Sequence, residues 1–390
     1  MGSHRTRLLS LVAGVALGAA AVGSAAAADT PGVTKDEIVI GSSLDLSGPG
    51  AAIGVAMKES LDLGSKMINE KGGINGRKLK IITYDNALTV PKGLLAVQKL
   101  INQDHVFTFV LLMGNPFVQA VQQKIYDSGR AIMFPIAPLQ SLYEPPQHLL
   151  VAYVPDFAEQ FAAATKWAVE TKGAKRVCLL EAQGLNANVH GAVDKELAAH
   201  HLKLASYQAY SFGAVDLSSQ VARLHSDNCD FVLLDSIVRD AAAALRERAK
   251  LGWNVPYLVA QSAGGNGLIR LGGKAAEGTY ALATAVPLNS IKDRPIIKTI
   301  LQRYDAEYHK PFQEAFLGGY EGLLLLAEAL KNAGPDLTTA SMIAGADKIK
   351  DFDPGLGFPP MTITEQRRLG SPHGYIVQLK DGEWHNAASY

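Results

Sequence analysis

The stretch from Asp36 to Asp85, DEIVIGSSLDLSGPGAAIGVAMKESLDLGSKMINEKGGINGRKLKIITYD, predicts one strand-helix-strand unit. Its first run, 37–41, is short, β-branched and continuously apolar, which is typical of a strand that is covered on both faces. Apolar or small residues then recur at steps of three and four, as on one face of an amphipathic helix. These residues are Ile53, Met57, Leu61, Gly64 and Ile68.

Glycines mark the end of this helix and the turn into the next strand. Gly72 and Gly73 stop the helical pattern, Asn75-Gly76 supplies a tight turn, and 78–84 reads as the second strand. The two strands of such a unit are parallel. Ligands of open parallel sheets bind beyond the carboxyl ends of the strands, so the loop at Ser47 is a candidate wall of a site.

The same alternation of short apolar strands and amphipathic helices continues along the chain. It runs to a crossing that we place near Val154, and it restarts at Lys175. Long helices follow beyond Val286, and a strand at 375–379 with a turn at 381–382 closes the pattern. We therefore expect an α/β protein with two doubly wound, Rossmann-like parallel sheets.

Composition excludes several classes of protein. The 390 residues include 37 Lys and Arg and 37 Asp and Glu, a formal net charge of zero, so no nucleic acid partner is indicated. With 48% hydrophobic residues, the chain can build two cores of ordinary domain size.

Residues 1–28 have the features of a secretory signal peptide. Arg5 and Arg7 precede an apolar stretch at 8–22, and small residues end the segment at Ala28. A membrane anchor is the alternative, but the apolar run is short for a bilayer span. We expect cleavage near Ala28 and a soluble mature protein in the periplasm.

Only two cysteines, Cys178 and Cys229, are present. One disulfide between them is compatible with an oxidising compartment, but the interpretation we favour is two separate small apolar residues. No motif for a serine hydrolase, zinc protease, nucleotide-binding loop or metal-binding cysteine pair occurs. The sequence therefore indicates neither an enzyme nor a bound cofactor or metal.

Several motifs of the opening unit resemble one family. The order of LSGP at 46–49, INEKGGINGRKL at 68–79 and YDNA at 84–87 is similar to that in type I periplasmic binding proteins, in the branched-chain amino acid (Leu/Ile/Val) branch. The resemblance implies two lobes joined by a three-strand hinge. We predict a first lobe of 29–154 plus 285–359, and a second of 155–284 plus 360–390.

The resemblance also implies a function. We expect an extracytoplasmic solute-binding receptor, monomeric, that closes on a small molecule and delivers it to the membrane permease of an ABC transporter. The alternatives are a ligand sensor of the same fold that regulates a partner protein, and a true branched-chain amino acid binder. A secreted hydrolase would need a nucleophile and a base that no motif supplies.

Candidate site residues lie in the loops after the strands. Ser47 either contacts ligand or caps a helix, and Phe117 either lines the cleft or belongs to the core. By approximate alignment, Ser262 stands where amino acid binders of this family have a glutamate. Pro138 replaces a hydroxyl residue, and Leu185 and Ile237 stand where tyrosines are common. The complete candidate set is Ser47, Ile53, Asn115, Phe117, Ala137, Pro138, Leu185, Asn186, Ile237, Gln261 and Ser262.

The candidate set predicts a ligand class. A free α-amino acid needs an acidic partner for its ammonium group, and such partners look depleted, although Asp235 is a possible substitute. Apolar walls with Ser47, Asn115 and Gln261 as polar anchors favour an uncharged or singly anionic molecule. We expect an aromatic or aliphatic carboxylate, and we expect Phe117→Ala to weaken its binding by about 1–3 kcal/mol.

Overall fold

The computed structural model describes residues 2, 30–211, 214 and 216–390. Apart from Gly2, the predicted signal peptide lies outside these residues, as does its cleavage site. Within the described part, none of the helices is long and apolar enough to cross a lipid bilayer.

The first lobe is built on five parallel strands in the order β2-β1-β3-β4-β5. They are β1 (Glu37–Leu44), β2 (Lys78–Asp85), β3 (Thr108–Val110), β4 (Ile132–Met133) and β5 (Leu150–Val151). The helices between them are α1 (Ala51–Glu70), α2 (Val90–Asn102) and α3 (Asn115–Asp127). The predicted unit is thus present, with β1 and β2 paired from Glu37 and Lys78 onward.

Side chains of β1 alternate between two cores. Ile38 and Ile40 pack on one face of the sheet and Val39 on the other, as expected for a strand covered on both sides.

The second lobe has a seven-stranded sheet in the order β12-β11-β10-β9-β8-β6-β7. Its parallel strands are β6 (Val177–Gln183), β7 (Ser206–Ser211), β8 (Phe231–Asp235), β9 (Tyr257–Val259) and β10 (Tyr280–Ala283). Its helices are α4 (Phe157–Glu170), α5 (Val189–Ala199), α6 (Ser218–Ser226), α7 (Val238–Lys250) and α8 (Asn266–Gly272).

A C-terminal hairpin extends this second sheet. It consists of β11 (Tyr375–Lys380) and β12 (Glu383–Ser389), joined at the predicted turn, and both of its pairings are antiparallel. The α/β class with two lobes is confirmed, but the second sheet is mixed and not wholly parallel as expected.

Between β10 and the hairpin, the chain returns to the first lobe as four helices. They are α9 (Leu288–Ile291), α10 (Pro295–Tyr308), α11 (Ala315–Ala333) and α12 (Thr339–Ala346). Gly64 of α1 allows α11 to approach, because a Cβ there would lie 2.7 Å from Leu323 and from Tyr320. The sequence reading missed α8 and α12, which are short helices of 7 and 8 residues.

The chain crosses between the lobes after β5, after β10 and before β11. The predicted boundary at residues 359–360 does not match the packing of the third crossing. Met361 and Ile363 belong to a core of the first lobe, and Leu369 pairs with Ala152. The second lobe therefore resumes after about Ser371, next to β11.

Cys178 and Cys229 form a disulfide, with their Cα atoms 5.9 Å apart. The favoured interpretation of two separate residues is therefore wrong. Cys178 lies in β6 and Cys229 lies just before β8, its neighbour in the sheet, so the strand pairing brings the two side chains together.

Candidate functional site

The carboxyl ends of the parallel strands define one edge on each lobe. Most of the candidate residues lie at these two edges, or in the first turns of the helices that start there. In the first lobe the edge follows β1 to β4, and in the second it follows β6, β8 and β9.

Two aspartates organise the edge of the first lobe. Asp45 accepts hydrogen bonds from the amides of Gly48 (2.5 Å) and Gly50 (2.6 Å). Asp85 accepts from the amides of Leu46 (2.8 Å) and Ala87 (2.9 Å) and from the hydroxyl of Ser47 (2.5 Å). Burial alone would raise the pKa of Asp85, but these donors hold it below its ordinary value of 3.8. Both oxygens of each carboxylate therefore accept hydrogen bonds that shape the loops.

Asn86 joins three strand ends at the same edge. Its side-chain amide donates to the carbonyls of Ser43 (3.3 Å) and Met113 (3.0 Å), and its oxygen accepts from the amide of Leu88 (2.9 Å). Ala87 and Leu88 adopt positive φ angles of 47° and 52°. This conformation costs non-glycine residues of the order of 1–3 kcal/mol, and it clusters at functional sites.

Leu88 is an apolar edge residue that the sequence reading missed. Its side chain is 38% exposed, and its methyl groups lie over Gly50 and Gly114, between the Ser47 loop and the start of α3. The only signal in the sequence was the YDNA motif just before it, which we used for the resemblance and not for the site.

The structure places the remaining first-lobe candidates as follows. Ser47 is exposed, and its hydroxyl is engaged by Asp85 instead of capping α1, whose N-cap is Gly50. Ile53 is 37% exposed in the first turn of α1. Asn115, the first residue of α3, and Pro138 are half-buried, whereas Ala137 is buried in a core.

Of the two alternatives for Phe117, the structure favours the core. Its ring is 1% exposed and belongs to the core between α2 and α3. It packs on the backbone of α2 at Gly93, where a Cβ would lie 2.2 Å from the ring. Because its ring is buried against α2, Phe117 does not form a wall of the cleft in this structure.

At the edge of the second lobe, Asn186 and Asp235 form a pair. The side-chain nitrogen of Asn186 donates to Oδ1 of Asp235 over 2.6 Å. Asp235 is fully buried, and its Oδ2 has no partner among the described residues. Burial raises the pKa of Asp235 to about 7, opposed by the hydrogen bond from Asn186 and assisted by the charge of Glu181.

The other second-lobe candidates surround this pair. The hydroxyl of Ser262 turns back to the carbonyl of Ser236 (2.8 Å), and the amide of Gln261 donates to the hydroxyl of Thr284 (3.5 Å). Leu185 and Ile237 are half-buried and follow β6 and β8, the same two neighbouring strands that carry the pair.

A polar network ties the lobes together at the hinge. Tyr143 of the first lobe donates its hydroxyl to Asp156 (2.6 Å), which caps α4 through the amide of Glu159 (3.1 Å). Arg367 holds both oxygens of Glu159 (3.0 and 2.9 Å) and lies over the ring of Tyr143 (5.6 Å). The third crossing is therefore clamped to the first.

Arg368 is buried, unlike its exposed neighbour Arg367. It is 5% exposed, donates to the carbonyl of His148 and pairs with Asp347 over 2.8 Å. Within 30–211, 214 and 216–390, no group of three or more His, Cys, Asp or Glu side chains is arranged to hold a metal ion.

Comparisons with known proteins match almost the whole chain. A family model described as periplasmic binding protein matches residues 37–383. The leucine-specific-binding protein of Salmonella typhimurium is 25% identical over 331 residues, which cover 85% of this chain and 86% of that protein. The Leu/Ile/Val-binding protein of Escherichia coli is 24% identical over 341 residues, covering 87% and 89%.

Solved structures share the fold. A fatty acid ABC transporter substrate-binding protein from Thermomonospora curvata superposes with a TM-score of 0.79 at 23% identity, covering 92% of this chain and 94% of that one. A branched-chain amino acid transporter substrate-binding protein from Streptococcus pneumoniae, in complex with isoleucine, gives 0.77 at 17% identity, covering 91% and 99%.

Proposed function

Since this chain belongs to the periplasmic binding protein family, we propose that it captures a small organic carboxylate between its lobes and delivers it to an ABC transporter permease. The family makes the chain a solute-binding receptor and not an enzyme. A ligand that touches both edges favours the closed state over the open one, and that difference in affinity drives closure.

The observation that carries the ligand class is the polar chemistry of the second-lobe edge. Binding of a free amino acid needs an acidic partner for the buried ammonium group. Ser262 supplies no charge, and its hydroxyl is turned into its own lobe. The nearby acid, Asp235, is fully buried, and one of its oxygens already accepts a hydrogen bond from Asn186. This supports a ligand without an ammonium group.

Two further features support an anionic ligand with an apolar body. Helices α3, α5 and α7 begin at the two edges without a side-chain cap, and the N-terminus of a helix favours an anion. Exposed or half-buried apolar side chains lie beside them on both lobes: Ile53, Leu88, Leu185 and Ile237.

Titration calorimetry tests the proposal with leucine, valine and polar amino acids on one side, and benzoate-like acids and short fatty acids on the other. We expect an acid to bind and the amino acids not to bind. Submicromolar binding of leucine with no binding of the acids would establish the competing function, a branched-chain amino acid binder. The names of the Salmonella and Escherichia relatives favour that competitor.

A matched pair of variants locates the site. Leu88→Ala removes an exposed side chain at the cleft edge and is expected to weaken ligand binding by about 1 kcal/mol, through lost apolar contact. Leu95→Ala removes the same group from α2, where it is 63% exposed, and should leave the affinity unchanged. Equal effects of the two would place the ligand elsewhere.

We also propose that the mature protein is a monomer that starts near Asp29 after export. N-terminal sequencing of the periplasmic fraction and light scattering test these two points. An intact Met1 in the exported protein would contradict the first, and a stable dimer the second.

A further inference from the structure

The Asn186 side chain can present either of two opposite chemical groups at the second-lobe edge. Its nitrogen is held by Asp235, and its oxygen accepts no hydrogen bond from any described residue. The residue is half-buried, in the loop between β6 and α5. When the amide nitrogen is held by Asp235, the amide oxygen remains available to a ligand in the cleft.

The ionisation of Asp235 decides which end is held. An ionised carboxylate only accepts hydrogen bonds, so it takes the nitrogen of Asn186 and leaves the amide oxygen facing outward. A protonated carboxyl can donate its O–H to the amide oxygen, and the amide then flips to face outward with its N–H groups. The unpartnered Oδ2 of Asp235 shows that the carboxyl group is not otherwise engaged within the described residues.

We propose that Asp235 is a positioning residue that sets the orientation of the Asn186 amide, and thereby whether the second lobe offers the ligand a hydrogen-bond donor or an acceptor. This inference rests on the proposed function, because a carboxylate ligand selects the donor state. The proton stays on Asp235 and no bond other than hydrogen bonds changes.

The surroundings of Asp235 place its titration in the neutral range. Glu181 of β6 faces it with like charge, and its own oxygen is held by the hydroxyl of Tyr207 (2.7 Å). Tyr210 of β7 donates to the Asp235 carbonyl (3.2 Å) and to Asp240 (3.4 Å), and Arg239 lies 3.9 Å from Asp240. With burial dominant, the pKa of Asp235 is about 7.

The consequence is a pH-dependent affinity of known sign. Only the protonated form presents the donor, and the apparent dissociation constant is the intrinsic one divided by the competent fraction. That fraction falls from about 0.9 to about 0.1 between pH 6 and pH 8, so carboxylate binding should weaken about tenfold.

Calorimetry with benzoate and hexanoate at pH 6, 7 and 8 tests this inference. Both acids have ordinary carboxyl pKa values, so they stay ionised throughout and any slope comes from the protein. We expect the wild type to weaken about tenfold, and Asp235→Asn and Asn186→Ala to show no slope. Glu247→Gln removes the same charge from a half-buried position of α7 beside Lys250 (2.6 Å), and it should keep the wild-type slope.

The outcomes separate this inference from the proposed function. Binding with no pH slope in the wild type, or with the slope retained in Asp235→Asn, overturns the role of Asp235 and leaves the proposed function standing. Binding of neither acid at pH 6 overturns both.

A ligand-free measurement keeps the test valid if the variants do not fold. The side-chain amide resonance of Asn186 in ¹⁵N-labelled wild-type protein should titrate with a midpoint near pH 7. A resonance that is constant from pH 6 to pH 8 would contradict the inference.

Discussion

The carboxylates at the two cleft edges differ in how many hydrogen bonds they accept. In the first lobe, Asp45 and Asp85 together accept five hydrogen bonds from the loops that follow β1 and β2. In the second lobe, Asp235 has one amide partner and one unpartnered oxygen. The first edge is therefore a fixed framework, whereas the second carries a group that can still change its protonation and its partner.

The two lobes also differ in the interactions that stabilise them outside the cleft. Both cysteines of the chain lie in the second lobe, where their disulfide ties β6 to the turn before β8. The first lobe depends on packing, as between Phe117 and Gly93. The edge that carries Asp235 therefore belongs to the lobe that contains the disulfide.

The largest effect is expected from Phe117→Ala, which tests whether the first lobe is a framework. Removing this fully buried ring should lower the free energy of unfolding by about 3–5 kcal/mol, measured by urea denaturation. Phe117→Leu, which keeps most of the volume, should cost much less. The affinity of the folded fraction should not change; a loss of affinity with normal stability would return Phe117 to the cleft.

Loss of the disulfide should have the next largest effect, in the other lobe. The closed loop has a sequence separation of 51, for which chain entropy gives about 4 kcal/mol. Cys178→Ala with Cys229→Ala should therefore unfold at lower denaturant, with hydrogen exchange accelerating first in β6 and β8. Reduction of the wild type is the control and should produce a similar shift. Equal acceleration of hydrogen exchange in both lobes would mean that the disulfide does not stabilise the second lobe in particular.

Asp85→Ala probes the framework at the first edge. It leaves the amides of Leu46 and Ala87 without their acceptor and should cost about 2–3 kcal/mol at pH 7. Asp36→Ala, an exposed carboxylate that forms only a 3.9 Å contact with Lys35, is the control and should cost little.

The effect of Asp85 should depend on pH with a definite sign. Its folded-state pKa lies below the ordinary 3.8, so its stabilisation is complete above that value and is lost as pH falls through the folded pKa. The difference between wild type and variant should therefore shrink in acid. A difference that grows below pH 3 would contradict this assignment.

The smallest effect concerns the ion pair between the lobes. Arg367 and Glu159 are partly exposed, with side chains 44% and 33% accessible, so a double-mutant cycle of Arg367→Gln and Glu159→Gln should give a coupling of about 0.5–1 kcal/mol. The coupling should weaken at high salt. A coupling of zero would mean that Tyr143 and Asp156 hold the hinge by themselves.

Much of this architecture was predictable because its signals are local. The apolar run at 38–40, the helical repeat beginning at Ile53 and the turn at Asp381-Gly382 each depend on a few neighbouring residues. Short elements were harder, because α8 and α12 have little room for a periodic pattern. In the candidate site, the sequence left Phe117 open between cleft and core, and it gave no role to Leu88, because burial and exposure of these side chains depend on how α2, α3 and the loops pack.

By itself, the sequence determined the α/β class, the two lobes and the family, because patterning and punctuating glycines act over short distances. Tertiary structure alone decided the rest. The ring of Phe117 is buried because α2 comes against it at Gly93, and the cysteines pair because β6 and β8 are neighbours in the sheet. Burial raises the pKa of Asp235 to about 7, because segments distant in sequence remove it from water. Each of these properties depends on contacts between residues far apart in the chain, which no local pattern encodes.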